Sequence, residues 1–477
     1  MTNIVKLLDQ DKENSKLFRA ASAVASEESV EVHVVGGYVR DIMLDRQLSD
    51  VDLMVVGDGI SFARKLAKKL KIKTVVPFEK FGTAQIHSED GIIEVASARV
   101  ETYESDSRKP EVNSANLEMD LSRRDFTVNA MAISLCDDSS GELSDPYGGV
   151  RDLQKRLLRT PLDPDTTFSD DPLRMLRAVR FAAQLDFQID KPVAESIIRQ
   201  AKRMEIVSAE RITNEFYKIL NTPVPSIGLD LLQQVGLLEI VFPEIAAMVG
   251  LEQPKEWHHK DIFYHTLQVV DNIAKLTDKP DLRFAALVHD IAKPRTRRLS
   301  TSKGWTFHGH DVVGSRMLKK VARRMKLSNK TLDYLQKLTM LHLRPIALAK
   351  DGVTDSAVRR VMAYSGEELD DLLILCRADI TSKNPMLVKK YLGNFDRVEK
   401  LMQNVEERDA FRAFQSPVRG EEIMKELDLP PGKFIGEIKS RIEDAILDGE
   451  IENNYEAAYD FFKKIKPDYT DKEENHS

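Results

Sequence analysis

Between Val30 and Leu53 the chain sets an adjacent glycine pair, Gly36-Gly37, at the end of the apolar stretch VEVHVVGG and follows it with paired carboxylates, Asp50 and Asp52, in LSDVDL. Glycines at the end of a strand let backbone amides close on a phosphate, and a helix opening behind them aims its positive end at the same point. Residues two apart in a strand project from one face. Asp50 and Asp52 can therefore hold Mg2+ together while Val51 and Leu53 pack inward. Phosphoryl transfer needs this arrangement, because cations must bridge the nucleotide phosphates and activate the attacking hydroxyl. Glu94, in the strand-like run IIEVASARV, is a candidate third carboxylate.

A chain of 477 residues exceeds one core, so several domains are expected. Its 42% hydrophobic and 31% charged content excludes a long disordered chain or a membrane protein. No apolar run is long enough to span a bilayer, and the start MTNIVKLLDQDKENSK lacks a signal-peptide layout, so a cytoplasmic protein is expected. Cys136, expected in a strand, and Cys376, expected in a helix, read as reduced core thiols. Net charge is −7, so any RNA contact must come from local basic clusters such as Lys65–Lys73, Lys293–Arg298 and Lys319–Lys326. The segments VDLMVVG and FARKLAKKL read as a strand and a helix within a mixed head, and from Ser169 onward the pattern is almost wholly helical. The expected plan is α+β: a head over 1–160, a helical neck over 161–252, a helical middle domain over 253–390 and a helical C-terminal region over 391–477.

GGYVRD with LSDVDL resembles the first motif of the CCA-adding enzyme and poly(A) polymerase family. Three further motifs follow in that family's order. Arg123-Arg124-Asp125-Phe126-Thr127-Val128-Asn129-Ala130-Met131 is similar to the ribose-recognition motif. Asp145-Pro146-Tyr147-Gly148-Gly149, with Asp152-Leu153 and Leu158-Arg159, resembles the hinge between head and neck, and Asp170-Asp171-Pro172-Leu173-Arg174 through Phe181 resembles the base-reading motif. The usual Glu-Asp opening of that motif is Asp170-Asp171 here. The resemblance implies a polymerase-β-like nucleotidyltransferase head, catalytic Asp50 and Asp52, and a nucleotide site that includes Gly36, Gly37, Arg40, Arg124, Asp125, Asn129, Asp171, Arg174, Arg177 and Arg180. It implies tRNA, CTP and ATP as partners, with no membrane and no obligate protein partner. Glu104-Ser105-Asp106-Ser107-Arg108 resembles the loop that full CCA enzymes use when switching to the final A.

The base-reading motif carries its own logic. Ser169 as N-cap, with acidic residues and Pro172 in the first turn, marks a helix start and puts Asp171 and Arg174 on one face. Cytosine and adenine each present an amino donor beside a bare ring nitrogen, so an Asp that accepts and an Arg that donates suits both and rejects guanine and uracil. Arg177 and Arg180 are expected to brace the helix or the phosphates.

Six of the ten histidines lie between residues 258 and 310. His265 in FYHTL, His289-Asp290 in ALVHDIAKP, His308 and His310 in FHGHD, His342 in LHLRP and Asp379 in CRADITS resemble the HD superfamily. That resemblance implies one divalent metal, of open identity, on His265, His289, Asp290 and Asp379, with hydrolysis of phosphate esters as its chemistry. The leading reading is CCA addition. A poly(A) polymerase, a CC-only or A-only enzyme, and an HD phosphohydrolase with an inactive head remain alternatives; a purely structural RNA-binding protein ranks last.

Overall fold

The computed structural model describes residues 14–46, 50–88, 91–102, 111–114, 116–251, 261–301, 304–349, 353–382, 384–409, 416–428 and 430–470. Leu48, Ser49, the 104–108 loop, His258 and His259 lie outside these residues. The chain divides into two units, Met1–Pro243 and Glu244–Ser477.

The first unit is built on a seven-stranded mixed sheet. Its strands are β1 (Glu31–Val35), β2 (Val51–Val56), β3 (Val75–Phe78), β4 (Thr83–Ser88), β5 (Gly91–Ser97), β6 (Ala132–Ser134) and β7 (Leu143–Ser144), in the order β3-β4-β5-β2-β1-β6-β7. β1 and β2 read as continuous apolar runs because they are central, with Val32, Val34, Val35, Leu53, Met54 and Val55 all buried. β2 pairs antiparallel with β1 and parallel with β5. Helices α1 (Ser15–Glu28), α2 (Gly37–Met43) and α3 (Gly59–Leu70) belong to this head. Phe62, Ala63, Leu66 and Ala67 form the buried stripe of α3, and the Asp58 carboxylate caps the amides of Ile60 and Ser61. Lys65 and Lys69 on its outer face pair with Glu28 and Glu27 of α1, so part of that basic cluster ties two helices together.

After the last strand of this sheet, the regular structure among the described residues of the first unit is mainly helical, as its pattern indicated, with a two-residue parallel pairing of Leu157–Leu158 with Gln188–Ile189; Arg99–Thr102 and Glu111–Ser114 form a separate antiparallel pair. The helix start at Ser169 needs correction. Ser169 and Asp170 finish α4 (Pro164–Asp170), Asp171 is extended at φ −142°, and α5 runs Leu173–Leu185. Pro172 cannot donate a helical hydrogen bond, so the chain breaks before it, and the Asp171 carboxylate caps the Leu173 amide at 3.2 Å.

The second unit contains α7 (Ile262–Ala274), α8 (Pro280–Val288), α9 (His310–Met325), α10 (Asn329–Leu341) and α11 (Leu369–Ala378), numbered after α6 (Ala209–Leu220) of the first. A short hairpin, Arg298–Ser300 with Gly304–Thr306, interrupts the helices where only helix was expected. Arg297 stacks on Trp305 at 3.7 Å, and Arg324 forms an ion pair with Glu244, so two of the basic clusters are partly committed to structure. A C-terminal core around Val418, Ile423, Ile438, Ile442, Ala458 and Phe462 is helical. Cys376 is buried in α11, whereas Cys136 stands just past β6; both are free thiols. No helix among the described residues is long and apolar enough to cross a membrane.

Candidate active site

In the first unit the site gathers around the turn at Gly36. Gly36 adopts φ +74°, and a Cβ there would sit 3.0 Å from Arg124 Nη1 and 3.3 Å from Asp52 Oδ2. A side chain would fill the gap between the Asp52 carboxylate and the Arg124 guanidinium. Asp52 lies in β2 opposite Val35 on one side and Glu94 on the other, while exposed Asp50 immediately precedes the strand. Burial pushes the Asp52 carboxyl up to about 6; repulsion from Glu94 and Asp50 adds to this and Arg124 opposes it. Three neighbouring carboxylates with one nearby guanidinium suit a divalent cation. Among the described residues no third ligand converges on Asp50 and Asp52 as tightly as in the second unit. Mg2+ commonly takes only one or two carboxylates and completes its shell with substrate phosphates and water.

The helix that follows Gly36 carries part of a buried network. Arg40 is 4% exposed, donates from Nε and Nη2 to both Asp41 oxygens at 2.8 Å, and donates from Nη1 to Asn129 Oδ1 at 2.7 Å. Asn129 donates to Asp125 Oδ1 at 3.0 Å, and Arg177 donates to Asp125 Oδ2 at 2.7 Å. Burial disfavours the Asp125 charge, but Arg177 and the Asn129 hydrogen bond outweigh it and hold the carboxyl at about 2. The guanidiniums of Arg40, Arg177 and Arg180 surround the Phe181 ring at 5.1, 5.4 and 4.1 Å. Arg40, expected at the nucleotide, is instead enclosed because Asp41 and Asn129 take its donors. Arg180 pairs with Glu215 at 2.8 Å, in keeping with a bracing position.

Asp171 and Arg174 do not pair with each other. Asp171 accepts from Arg211 at 2.7 Å, and Arg174 donates to the carbonyls of Arg123 at 2.6 Å and Thr167 at 3.3 Å. Arg211, Glu215 and Asp120, which holds Arg123 and Arg124, escaped sequence reasoning because ordinary helical charges carry no local signal. The hinge motif is explained by packing. Asp145 caps the amides of Gly149 and Val150, and a Cβ on Gly149 would lie 2.4 Å from the Thr127 carbonyl.

In the second unit His265, His289, Asp290 and Asp379 come together from α7 and the ends of α8 and α11. His265 Nε2 is 3.0 Å from Asp379 Oδ1 and 3.7 Å from Asp290 Oδ2; His289 Nε2 is 3.1 Å from Asp290 Oδ2 and 3.4 Å from Asp379 Oδ1. His289 Nε2, Asp290 Oδ2 and Asp379 Oδ1 are buried, and none of these short contacts has hydrogen-bond alignment. Donors bonded to one cation at about 2.1 Å stand roughly 3.0–3.4 Å apart, so the set fits a metal. Burial opposes a charge on His289, yet Asp290 and Asp379 raise its pKa, a sign of two buried carboxylates that require a positive partner. His310 and His342 also face Asp290, whereas His308 is exposed.

These features define a metal-dependent nucleotidyltransferase head joined to an HD domain. Residues 32–159 match the poly A polymerase head domain, 186–249 the probable RNA- and SrmB-binding site of polymerase A, and 262–384 the HD domain. The chain belongs to the tRNA nucleotidyltransferase family that shares this head. It is 34% identical to the A-adding tRNA nucleotidyltransferase of Deinococcus radiodurans, over 72% of this chain and 78% of that one. It is also 34% identical to the multifunctional CCA protein of Vibrio vulnificus strain YJ016, over 73% of this chain and 85% of that one. In fold it resembles the apo form II structure of a CCA-adding enzyme, with a TM-score of 0.64 and 24% identity, covering 96% of this chain and 97% of that one. It also resembles the Thermotoga maritima CCA-adding enzyme complexed with tRNA, with a TM-score of 0.60 and 22% identity, covering 97% and 98% of the two chains.

Proposed function

We propose that this protein builds the CCA end of tRNA from CTP and ATP without a template, in the cytoplasm, and that its HD domain hydrolyses phosphate esters. The observation that carries the first part is the Asp52 carboxylate set against the side-chain-free turn at Gly36, with Arg124 beside it. The RNA 3′ hydroxyl oxygen bonds to the α-phosphorus, the α–β anhydride bond breaks, pyrophosphate leaves and the hydroxyl proton is lost. Mg2+ on Asp50 and Asp52 would supply charge neutralisation and hydroxyl activation. Gly36 and Gly37 give the phosphates access to backbone amides, Arg124 offsets their charge, and Arg40, Asp125, Asn129 and Arg177 hold that wall rigid. Asp171 and Arg174 read the base once Arg211 yields Asp171. Arg180 braces the helix. The work divides among a head over 1–160, a neck over 161–252, an HD domain over 253–390 and a helical region over 391–477.

In the second unit, His265, His289, Asp290 and Asp379 would hold a divalent metal that activates water; water adds to phosphorus, the ester P–O bond breaks, and the leaving oxygen takes a proton. An A-only activity is the second reading, favoured by the A-adding relative, which is as similar as the CCA protein. Incubating the protein with tRNA lacking its last three nucleotides and, separately, with tRNA ending in CC, with each NTP singly and with all together, decides between them. Three-nucleotide extension from CTP plus ATP is expected; extension only of tRNA already ending in CC would establish the A-only reading.

A further inference from the structure

We infer that the basic hairpin between Asp290 and His310 grips the single-stranded 3′ end of an RNA, so that the phosphate ester presented to the second unit is the terminal one of an RNA chain. This names the substrate class for the hydrolase reading and rests on that reading for the choice of occupant. The stretch Ile291–His310 holds Lys293, Arg295, Arg297, Arg298 and Lys303 and no Asp or Glu, in a chain that carries 77 of those acids. Arg295 and Arg298 are exposed, and among the described residues no carboxylate pairs with either of them or with Arg297. Guanidiniums left without carboxylates on a chain of net charge −7 mark a local site for a polyanion.

Both ends of the stretch are fixed at the groups proposed to act on the ester. It leaves α8 through His289-Asp290 and returns at His310, the first residue of α9, whose Nε2 lies 3.2 Å from Asp290 Oδ1. Lys293 ties the base of the hairpin, with Nζ 2.5 Å from Asp290 Oδ2 and 5.8 Å from the centre of the Phe307 ring. Strand register sorts the remaining side chains into two kinds. Leu299 stands opposite Trp305, so the two share one face, while Arg298 shares the other with Thr306. Leu299 is 69% exposed, and the Arg297 guanidinium lies over Trp305, 3.7 Å from the ring centre. Arg297 Nε is buried with no hydrogen-bond partner, so the ring itself holds the guanidinium plane. Nucleobases stack on aromatic and guanidinium planes while arginines meet the phosphates between them, which is how single strands are held without regard to sequence. A duplex hides its base faces, and an acidic peptide needs the charges alone. A free nucleotide has its single phosphate ester at the histidine–aspartate set and leaves none for Arg295 and Arg298. An RNA chain brings further phosphates upstream of its end and unstacked bases beside them, and it uses both faces of the hairpin.

The test uses the full chain carrying Trp257→Phe, which leaves Trp305 as its sole tryptophan and puts the fluorescence signal in the hairpin. A short RNA ending in a 2′,3′-cyclic phosphate is the probe, and it should quench that emission. Arg295→Gln with Arg298→Gln should weaken this binding roughly tenfold and lower the slope of log affinity against log salt by about 1.4, at about 0.7 for each phosphate contact to a single strand. Arg295→Lys with Arg298→Lys keeps both charges and should restore most of the slope. With Mn2+ added, the parent should favour that RNA over a nucleoside 2′,3′-cyclic phosphate in kcat/KM. The glutamine pair should lose this preference through KM while its rate on the nucleoside holds. Trp305 emission indifferent to RNA, or an affinity and salt slope unchanged in the glutamine pair, overturns the RNA grip. Equal use of the two probes by the parent overturns the choice of an RNA end and leaves the hydrolase reading standing. Binding with the expected slope but no hydrolysis of either probe supports the grip and ends the hydrolase reading.

Discussion

Asp52 stands directly opposite Glu94 where β2 and β5 pair in parallel, and burial together with that neighbouring charge pushes the Asp52 carboxyl up to about 6. Glu94 also accepts a hydrogen bond from Gln85 at 2.6 Å, so it is held on the same face of the sheet. Asp52→Asn should lower nucleotide addition at least the roughly 10²–10³-fold typical of losing one electrostatic stabiliser, with unchanged circular dichroism. Glu94→Gln should cost less, because the carboxylate pair survives. Single-turnover CTP incorporation measures both, and normal rates in an Asp50→Asn, Asp52→Asn double variant would remove the assignment.

Asp171 is engaged by Arg211, and Arg174 by two backbone carbonyls. Asp171→Ala should reduce discrimination against UTP and GTP by about 1–3 kcal/mol, as loss of a bidentate base contact does. Arg211→Ala removes only the resting partner of Asp171 and should leave selectivity intact. Competition between NTPs, read as misincorporation ratios, separates the two variants. Equal selectivity in Asp171→Ala and the parent would make Asp171 a structural cap.

The Asp125 carboxyl is held at about 2 in the folded chain, against 3.8 for an exposed aspartate in the unfolded chain. Because the folded value is depressed, its contribution is fully present above about pH 4 and disappears as pH falls through about 2. At neutral pH it amounts to about 2–3 kcal/mol. Asp125→Asn should therefore destabilise the first unit by about this much at pH 7, with the gap to the parent roughly halved near pH 3. Urea unfolding at several pH values checks the sign; a gap that widens on acidification contradicts it.

Gly149 cannot accept a side chain where the Thr127 carbonyl would lie 2.4 Å from its Cβ. Gly149→Ala should cost about 1–3 kcal/mol, the usual penalty of overpacking against backbone. Gly393, within the helix Pro385–Asp409, meets nothing within 4 Å, and Gly393→Ala should be neutral or stabilising by up to about 1 kcal/mol. Chemical denaturation of the two variants makes the comparison.

His289→Ala with Asp290→Ala should abolish phosphate-ester hydrolysis while sparing most nucleotide addition, since the residues named for the two reactions lie in different units. Cyclic-phosphate hydrolysis and tRNA extension are measured on the same preparation. Loss of both activities with a normal melting profile would show that the reactions share a site.

Local features carried much of this protein in the sequence. The central strands appeared as apolar runs and Gly36-Gly37 as a turn that only small residues allow, because each depends on residue type and short spacing; His265, His289-Asp290 and Asp379 were marked as a candidate ligand set by their resemblance to the HD superfamily, in whose order they occur. Tertiary structure decided what those groups touch. Arg40 was expected at the nucleotide but is enclosed by Asp41 and by Asn129, a residue far along the chain, and Asp171 meets Arg211 from another helix. The helix start was misplaced from Ser169 because a cap signal was read locally, whereas the extended backbone at Asp171 ends one helix before the next begins. His310 and His342 stood in plain view as FHGHD and LHLRP, yet only folding turns both Nε2 atoms toward one oxygen of Asp290. Spacing along a chain records which side chains are available; the direction of a lone pair is set by the hydrogen bonds and helix ends that hold each ring.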